Sequence, residues 1–330
     1  MVVPTLAADA KLQECLAALE TQTQPDFEVI IVDNSGSGAV RSSGAARPGV
    51  CVIEEPRNIG FGAAVNDAFR QSRSRYLATL NDDAAPHPGW LAALVSALEA
   101  RPEAGMCASQ VRLYGEDALD SAGMLVSGDG SSKQRGHTRP PKFFPVPEEV
   151  LFPSGSAALY RRAMLEQIGL FDEDFFLYCE DTDLGLRARW AGWRCLYAPE
   201  AVVEHHYSHS AGRASRLKAY YVERNRLFVL AKNFPARTLA AAPFVSLARY
   251  WWHSLFLLRG RGAAARFRLE GASAWRMPFY VLRAHIALLL HAPVLWRKRR
   301  EIHRTARVTP AVYRRLLRSH SISARRVAEL

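Results

Sequence analysis

Tyr76-Leu77-Ala78-Thr79-Leu80-Asn81-Asp82-Asp83 decides the fold class: five residues of strand character run without a break into two adjacent carboxylates. What precedes them repeats the arrangement. Val2-Val3 comes before a helical pattern over Leu12 to Leu19, Phe27 to Val32 ends in Asp33-Asn34-Ser35, Val50 to Ile53 gives a third strand, and Ala63 to Ser72 a second helix. Strands alternating with helices predict a mostly parallel sheet flanked by helices, with ligand loops at the strand C-termini. The acidic pair falls at such an end. Downstream, periodicity is lost between Tyr114 and Pro153, where Gly, Ser, Pro and Lys accumulate, and the stretch reads as a long loop. A helical pattern returns over Leu184 to Trp190, Ala191-Gly192 ends it, and Arg194 to Tyr197 reads as a strand stopping before Pro199.

Bulk quantities set the frame. With 330 residues and 49% hydrophobic composition the chain can bury a substantial core, so disorder is not the expectation. Its five cysteines are scattered and form no C-x-x-C pair, which argues against a disulfide framework or a zinc knuckle and fits a reducing cytoplasm. Net charge divides unevenly: residues 1–212 carry 18 basic and 28 acidic side chains, residues 213–330 carry 25 and 4. An acidic body on a strongly basic tail expects an anionic partner. The start, Met-Val-Val-Pro-Thr-Leu, is too short an apolar run for a signal peptide. The two best apolar windows, Thr238 to Leu258 and Phe279 to Trp296, are interrupted by Arg249 and His253 and by Arg283, His285 and His291, so the tail is expected to lie on a membrane rather than span it. Tryptophans among arginines suit the interface, and no nucleic-acid-binding motif appears. A helical cap with a solvated basic face is the alternative.

Two acidic clusters carry the chemistry. A carboxylate pair at a strand end can hold a hard divalent cation, Mg²⁺ or Mn²⁺, which would neutralise a diphosphate leaving group; a solvated turn is the other reading of Asp82-Asp83. In Glu180-Asp181-Thr182-Asp183, close carboxylates raise one another's pKa and can supply a base for a hydroxyl. The same residues suit a helix N-terminus, where acids complement the macrodipole, and Asp183 can pair with Arg187 one turn on.

Leu80-Asn81-Asp82-Asp83-x-x-Pro86-x-Pro88-Gly89-Trp90-Leu91 and Phe171-Asp172-Glu173-x-Phe175-Phe176-Leu177-Tyr178-x-Glu180-Asp181-Thr182-Asp183-Leu184-x-x-Arg187 together resemble the D-x-D and E-D motifs of family 2 glycosyltransferases. The resemblance implies a GT-A fold, a Rossmann-like mixed sheet flanked by helices, over residues 1–212, with a basic, helical, membrane-associating region over 213–330. It implies an inverting, metal-dependent transfer from a nucleotide-sugar, dTDP-rhamnose or a UDP-sugar, to a glycan or lipid-linked acceptor, as in rhamnosyltransferase-like enzymes of cell-surface polysaccharide synthesis. Asp181 takes the place of the base, with Glu180 and Asp183 beside it. Asn81 replaces the first acid of D-x-D, so Asp83 becomes the metal ligand and Asp82 a partner of ribose or metal. In Pro199-x-Ala201-x-Val203-x-His205 the family position for a metal or diphosphate ligand is His205, with His206 and His209 as nearby alternatives. Asp33 stands where members bind the nucleotide, although a plain Asx turn reads equally well. In Arg57-Asn58-Ile59-Gly60-Phe61-Gly62-Ala63-Ala64-x-Asn66 the glycines would let backbone approach the donor. Pro153-Ser154-Gly155-Ser156 resembles the segment before the acceptor side, or else a closely packed strand. A nucleotide-sugar or glycan-binding protein without catalysis is the rival, and the expected address is the cytoplasmic face of the plasma membrane. Base, donor sugar, acceptor and oligomeric state are not written in the sequence.

Overall fold

The computed structural model describes residues 1–47, 49–206, 216–269 and 276–330. The chain forms two compact units, Met1–Met124 with Gln134–Ala188 and Trp193–Ser210, and Leu125–Lys133 with Arg189–Gly192 and Ala211–Leu330. The second therefore takes in two short segments that lie within residues 1–212.

The first unit opens with β1 (Val2–Thr5), α1 (Ala10–Glu20), β2 (Val29–Asp33), the one-turn α2 (Ala39–Ser42), β3 (Val50–Glu54), α3 (Phe61–Gln71) and β4 (Tyr76–Leu80). Asp9 caps α1, accepting from the amides of Lys11 and Leu12. Beyond β4 come β5 (Ala84–Pro86), α4 (Trp90–Glu99), β6 (Ala104–Leu113), β7 (Leu119–Ser121), β8 (Met124–Val126), β9 (Ser132–Gln134), β10 (Glu148–Val150), β11 (Ala157–Arg161), α5 (Arg162–Ile168), α6 (Glu180–Trp190) and β12 (Arg194–His205).

One ten-stranded sheet runs β10-β12-β6-β11-β4-β1-β2-β3, with β5 on β12 and β7 on β6. Strands β4, β1, β2 and β3 are parallel, whereas β11 runs antiparallel between β4 and β6, so the sheet is mixed rather than mostly parallel. From β1 the chain proceeds to β2 and β3 on one side and returns to β4 on the other. That switch point is where open α/β sheets hold ligands. Helices α1 and α4 bury Leu12, Leu16, Trp90 and Leu94 in the core with Val3, Ile31 and Leu80 of the strands, each buried aliphatic or aromatic side chain contributing about 1.5–3 kcal/mol.

Two expectations change. The stretch from Tyr114 to Pro153 is not one loop: it contains four short strands, too brief for their alternation to show in sequence. Strand β12 also passes through Pro199; its register against β6 shifts between Ala198 and Val202, a bulge that accommodates a residue with no N–H to donate.

The second unit is helical: α7 (Arg216–Asn233), α8 (Ala236–Leu258), α9 (Gly262–Leu269), α10 (Met277–Arg304), α11 (Pro310–Ser319) and α12 (Ala324–Glu329). Helix α7 packs on α10, and α8 on α9 and α12. Its basic residues are not all solvated. Arg226 and Arg249 are buried and both bond Glu223, and the Nε of Arg249 donates to Asp129 at 2.6 Å. The Arg226 guanidinium also donates to the Asp129 carbonyl at 3.0 Å, which ties the 127–131 turn to this unit. Other side chains stay bare: Phe244, Leu247, Trp251 and Leu258 on α8, and Phe279, Leu282, Ile286, Leu289 and Leu290 on α10 are exposed. By length and composition α10 is apolar enough to cross a membrane, which its interruptions had argued against, and little of that window is buried.

Candidate active site

Strand β4 delivers Asn81-Asp82-Asp83 to the switch point. There Thr5, at the end of β1, donates its hydroxyl to Asp82 at 2.6 Å. The far end of β12 pairs antiparallel with β5, setting His205 opposite Ala84, and the His206 amide donates to the Asp83 carbonyl at 3.0 Å. This brings two residues 122 positions apart together: His205 Nε2 lies 3.1 Å from Asp83 Oδ1, and its Nδ1 lies 2.9 Å from Asp120 Oδ2. Asp120 sits on β7, inside the stretch taken for a loop, and nothing in its local sequence marks it. All three side chains are buried. Burial works against the His205 imidazolium, but the hydrogen bonds and charges of Asp120 and Asp83 outweigh it and raise the group to about 10. Asp120 is likewise disfavoured by burial yet held down at about 2 by His137 and His205.

Asp83 and His205 offer one oxygen and one nitrogen. They are joined by a hydrogen bond at 3.1 Å, and a hard divalent cation held by both would take the place of the shared proton. No cluster of three or more His, Cys, Asp or Glu side chains among the described residues forms a fuller site.

The second cluster opens α6. Phe176, Tyr178 and Cys179, just before it, all hold positive φ, an unusual concentration of left-handed backbone at non-glycine residues. Asp181 Oδ2 accepts from the Gly155 amide at 2.9 Å, and Oδ1 from the Thr182 amide at 2.6 Å. Asp181 keeps part of its surface open, yet desolvation by its surroundings raises its pKa against these donors. Glu180 is buried, its Oε2 has no hydrogen-bond partner among the described residues, and burial followed by the nearby Asp181 charge pushes it up as well. Asp183 is fully buried and accepts from Arg187 Nε at 2.8 Å, one turn on; Arg187 in turn donates to the carbonyls of Ile168, Gly169 and Leu170.

One short segment joins the clusters. Ser156 accepts from the Asn81 amide at 2.8 Å while Gly155 donates to Asp181. A Cβ on Gly155 would stand 3.3 Å from that of Asp181, so this position has little room for a side chain.

The glycine-rich motif does something the sequence did not reveal. Gly60 has φ +89°, and a Cβ there would come 2.3 Å from the Phe176 carbonyl oxygen. The Phe61 amide donates to that same carbonyl at 3.0 Å. Asn66 exchanges two hydrogen bonds with the Phe171 backbone, at 2.9 and 3.0 Å, and a Cβ on Gly62 would lie 3.0 Å from that of Phe171. The close backbone approach is thus to protein, and the motif docks the segment leading to Asp181. Asn58 closes its own turn onto the Gly60 amide at 2.9 Å. Asp33 is buried and bonded by the Ser35 and Val40 amides; burial opposes its charge, but these donors hold it below the usual carboxylate range, as in an Asx turn. His206 stacks on Tyr114 at 3.8 Å and meets Glu14 at 3.0 Å, so its ring is engaged with α1 rather than with Asp83. His209 lies outside the described residues.

Residues 1–169 match the sequence model of "Glycosyl transferase family 2". The chain is 31% identical over 247 residues to N-acetylglucosaminyl-diphospho-decaprenol L-rhamnosyltransferase of Mycobacterium tuberculosis, covering 67% of this chain and 80% of that one. It is 24% identical over 221 residues to the O-antigen chain rhamnosyltransferase WbaN of Salmonella anatum, covering 64% and 66%. Among solved structures, GalNAc-T7 with UDP, GalNAc and Mn²⁺ superposes with a TM-score of 0.60 at 14% identity, over 75% of this chain and half of that longer one. That likeness is one of fold: a mixed α/β sheet with flanking helices.

Proposed function

The chain belongs to glycosyl transferase family 2, and from that premise we propose an inverting, single-displacement transfer of a sugar from a nucleotide-diphosphate donor, dTDP-rhamnose or a UDP-sugar, to a hydroxyl of a glycan or lipid-linked acceptor. The observation that carries this reading is the Gly155-Ser156 pair, in which Gly155 donates to Asp181 and Ser156 accepts from Asn81. On this reading the leaving-group and nucleophile residues share that segment as a common support. Asp181, partly open and with its pKa raised, takes the acceptor proton as the acceptor oxygen bonds the anomeric carbon and the bond to the diphosphate breaks. Glu180 and the Asp183–Arg187 pair position the helix turn that carries it. Asp83 and His205 would hold Mg²⁺ or Mn²⁺, which when bound supplies positive charge to the diphosphate. Asp82 and Asp33 make up the nucleotide side at the switch point, while the Asn58, Gly60, Phe61, Gly62 and Asn66 turn beside them holds the segment that leads to Asp181. A rhamnosyl donor and a diphospholipid acceptor are suggested by the names of the relatives.

On this reading residues 1–212 are the catalytic domain and 213–330 a region that rests on the cytoplasmic face of the plasma membrane, which the bare apolar faces of α8 and α10 support. Thermal shift against a panel of UDP-, GDP- and dTDP-sugars with Mn²⁺ tests the donor. A cognate donor at 100 times its Kd stabilises by about 2.7 kcal/mol, and a panel that leaves Tm unmoved would count against a nucleotide-sugar site.

A further inference from the structure

The helical unit contains a cavity of about 590 Å³, within the roughly 300–1,000 Å³ range of small-molecule sites. Four arginines line it: Arg237 at the start of α8, and Arg314, Arg315 and Arg318 on α11. Among the described residues none of the four pairs with a carboxylate, although Arg226 and Arg249 of the same unit do. Few acids remain to meet them. Residues 213–330 hold four; Glu223 is taken by Arg226 and Arg249, Glu301 by Arg304 and Glu329 by Arg326. The fourth, Glu270, lies outside the described residues.

Two further features point the same way. Ser127 also lines the cavity; it is 1% exposed, and among the described residues its hydroxyl has no hydrogen-bond partner. A buried orphan hydroxyl in a native fold calls for a ligand or an equivalent partner. Helix α8, 23 residues long, begins at this cavity with Pro235 as its N-cap, no side-chain cap and no acid in its first turn. Its positive end favours an anion. Apart from Thr238 and Ser321 the remaining wall is apolar, through Phe234 and Leu317, and the exposed stripe of α8 begins at Phe244, three residues beyond the lining Ala241. Fork-shaped guanidinium groups suit phosphate oxygens.

We propose that this cavity binds the phosphate or diphosphate head group of a lipid, whose chains continue along the bare face of α8. The proposal rests on the membrane reading given above, and the two can fail separately. The full chain is tested for flotation with vesicles of phosphatidylcholine alone and with added phosphatidylglycerol, and for thermal protection by inorganic pyrophosphate. Two triple variants are compared: Arg237→Gln/Arg314→Gln/Arg318→Gln in the cavity, and Arg259→Gln/Arg297→Gln/Arg300→Gln at other exposed positions. Each removes three charges, and both are checked for an unchanged Tm without ligand. The expected result is binding to the anionic vesicles that weakens about a hundred-fold in the cavity triple and less than about ten-fold in the other. Pyrophosphate should protect wild type and the second triple but not the cavity triple, and should compete with the vesicles. Equal losses in the two triples, or no protection by pyrophosphate, would overturn the site. Pyrophosphate protection confined to chains with an intact cavity, in a protein that ignores both vesicles, would keep a phosphate site but overturn its lipid source and the membrane reading together.

Discussion

Asp181 carries its carboxylate between the Gly155 and Thr182 amides, with Glu180 buried beside it. Because desolvation raises the Asp181 pKa, the protonated, inactive form persists above the ordinary aspartate value of 3.8. The kcat–pH profile should therefore have its acid limb above the ordinary aspartate value of 3.8, and an acid limb at or below 3.8 would contradict the role given to Asp181. Glu180 makes a second prediction. Burial and the Asp181 charge raise it from 4.5 to about 8, so its contribution to stability is full below about pH 4.5 and is lost as pH rises through 8. Glu180→Gln cannot ionise. Its Tm relative to wild type should rise between about pH 4.5 and 8 and level off above, and a difference that is flat with pH would show that the group is ionised throughout or accessible to water. Asp120, which no sequence signal marked, holds His205 by its other nitrogen. Removing a carboxylate behind a metal-binding histidine typically costs 10–100-fold in metal affinity. Asp120→Asn should raise the Mn²⁺ concentration needed for half-maximal activity by about that factor, with activity recovered at high Mn²⁺.

At the scale of elements, the turn into α3 and the segment before α6 behave as one structural piece. Gly60, Phe61 and Asn66 bond or abut the backbone of Phe171 and Phe176, next to the left-handed residues that turn the chain into α6. Gly60→Ala combines a positive φ with a Cβ 2.3 Å from a carbonyl oxygen; strained backbone alone costs on the order of 1–3 kcal/mol. Both Tm and activity should fall, and an unchanged Tm would mean the two segments are not coupled. The sequence showed these as two separate motifs. Local patterns could place β1, β2, β3 and β4, since these announce themselves by apolar runs ending in polar residues. They could not show that residues a hundred positions apart dock, because that contact uses backbone carbonyls common to every residue. The same limit hid Asp120, since a three-residue strand is too short to display alternation. His205 came into view only through a family resemblance: its meeting with Asp83 depends on β12 running on past Pro199 to pair with β5, where the local reading had ended the strand.

For the molecule as a whole, uneven charge is the organising fact. The helical unit buries part of its positive charge around Glu223, which accepts from Arg226, Arg249 and Tyr250. Glu223→Ala would leave two buried guanidinium groups short of a partner, and losing one member of such a pair costs about 3–5 kcal/mol. Urea unfolding should show this loss, whereas a neutral outcome would mean that water replaces the carboxylate. The acidic unit holds the sheet, the switch point and both carboxylate clusters, and it alone supplies every residue named in the transfer reaction. The most direct test of the account is nucleotide release. Purified protein is given UDP-, GDP- and dTDP-sugars with Mn²⁺ and a lipid-linked acceptor, alongside Asp181→Asn and Asp83→Ala. Wild type should release nucleotide from one cognate donor, with a loss of about 10²–10⁴-fold in Asp181→Asn and a comparable fall in Asp83→Ala. Release that survives both substitutions would contradict it.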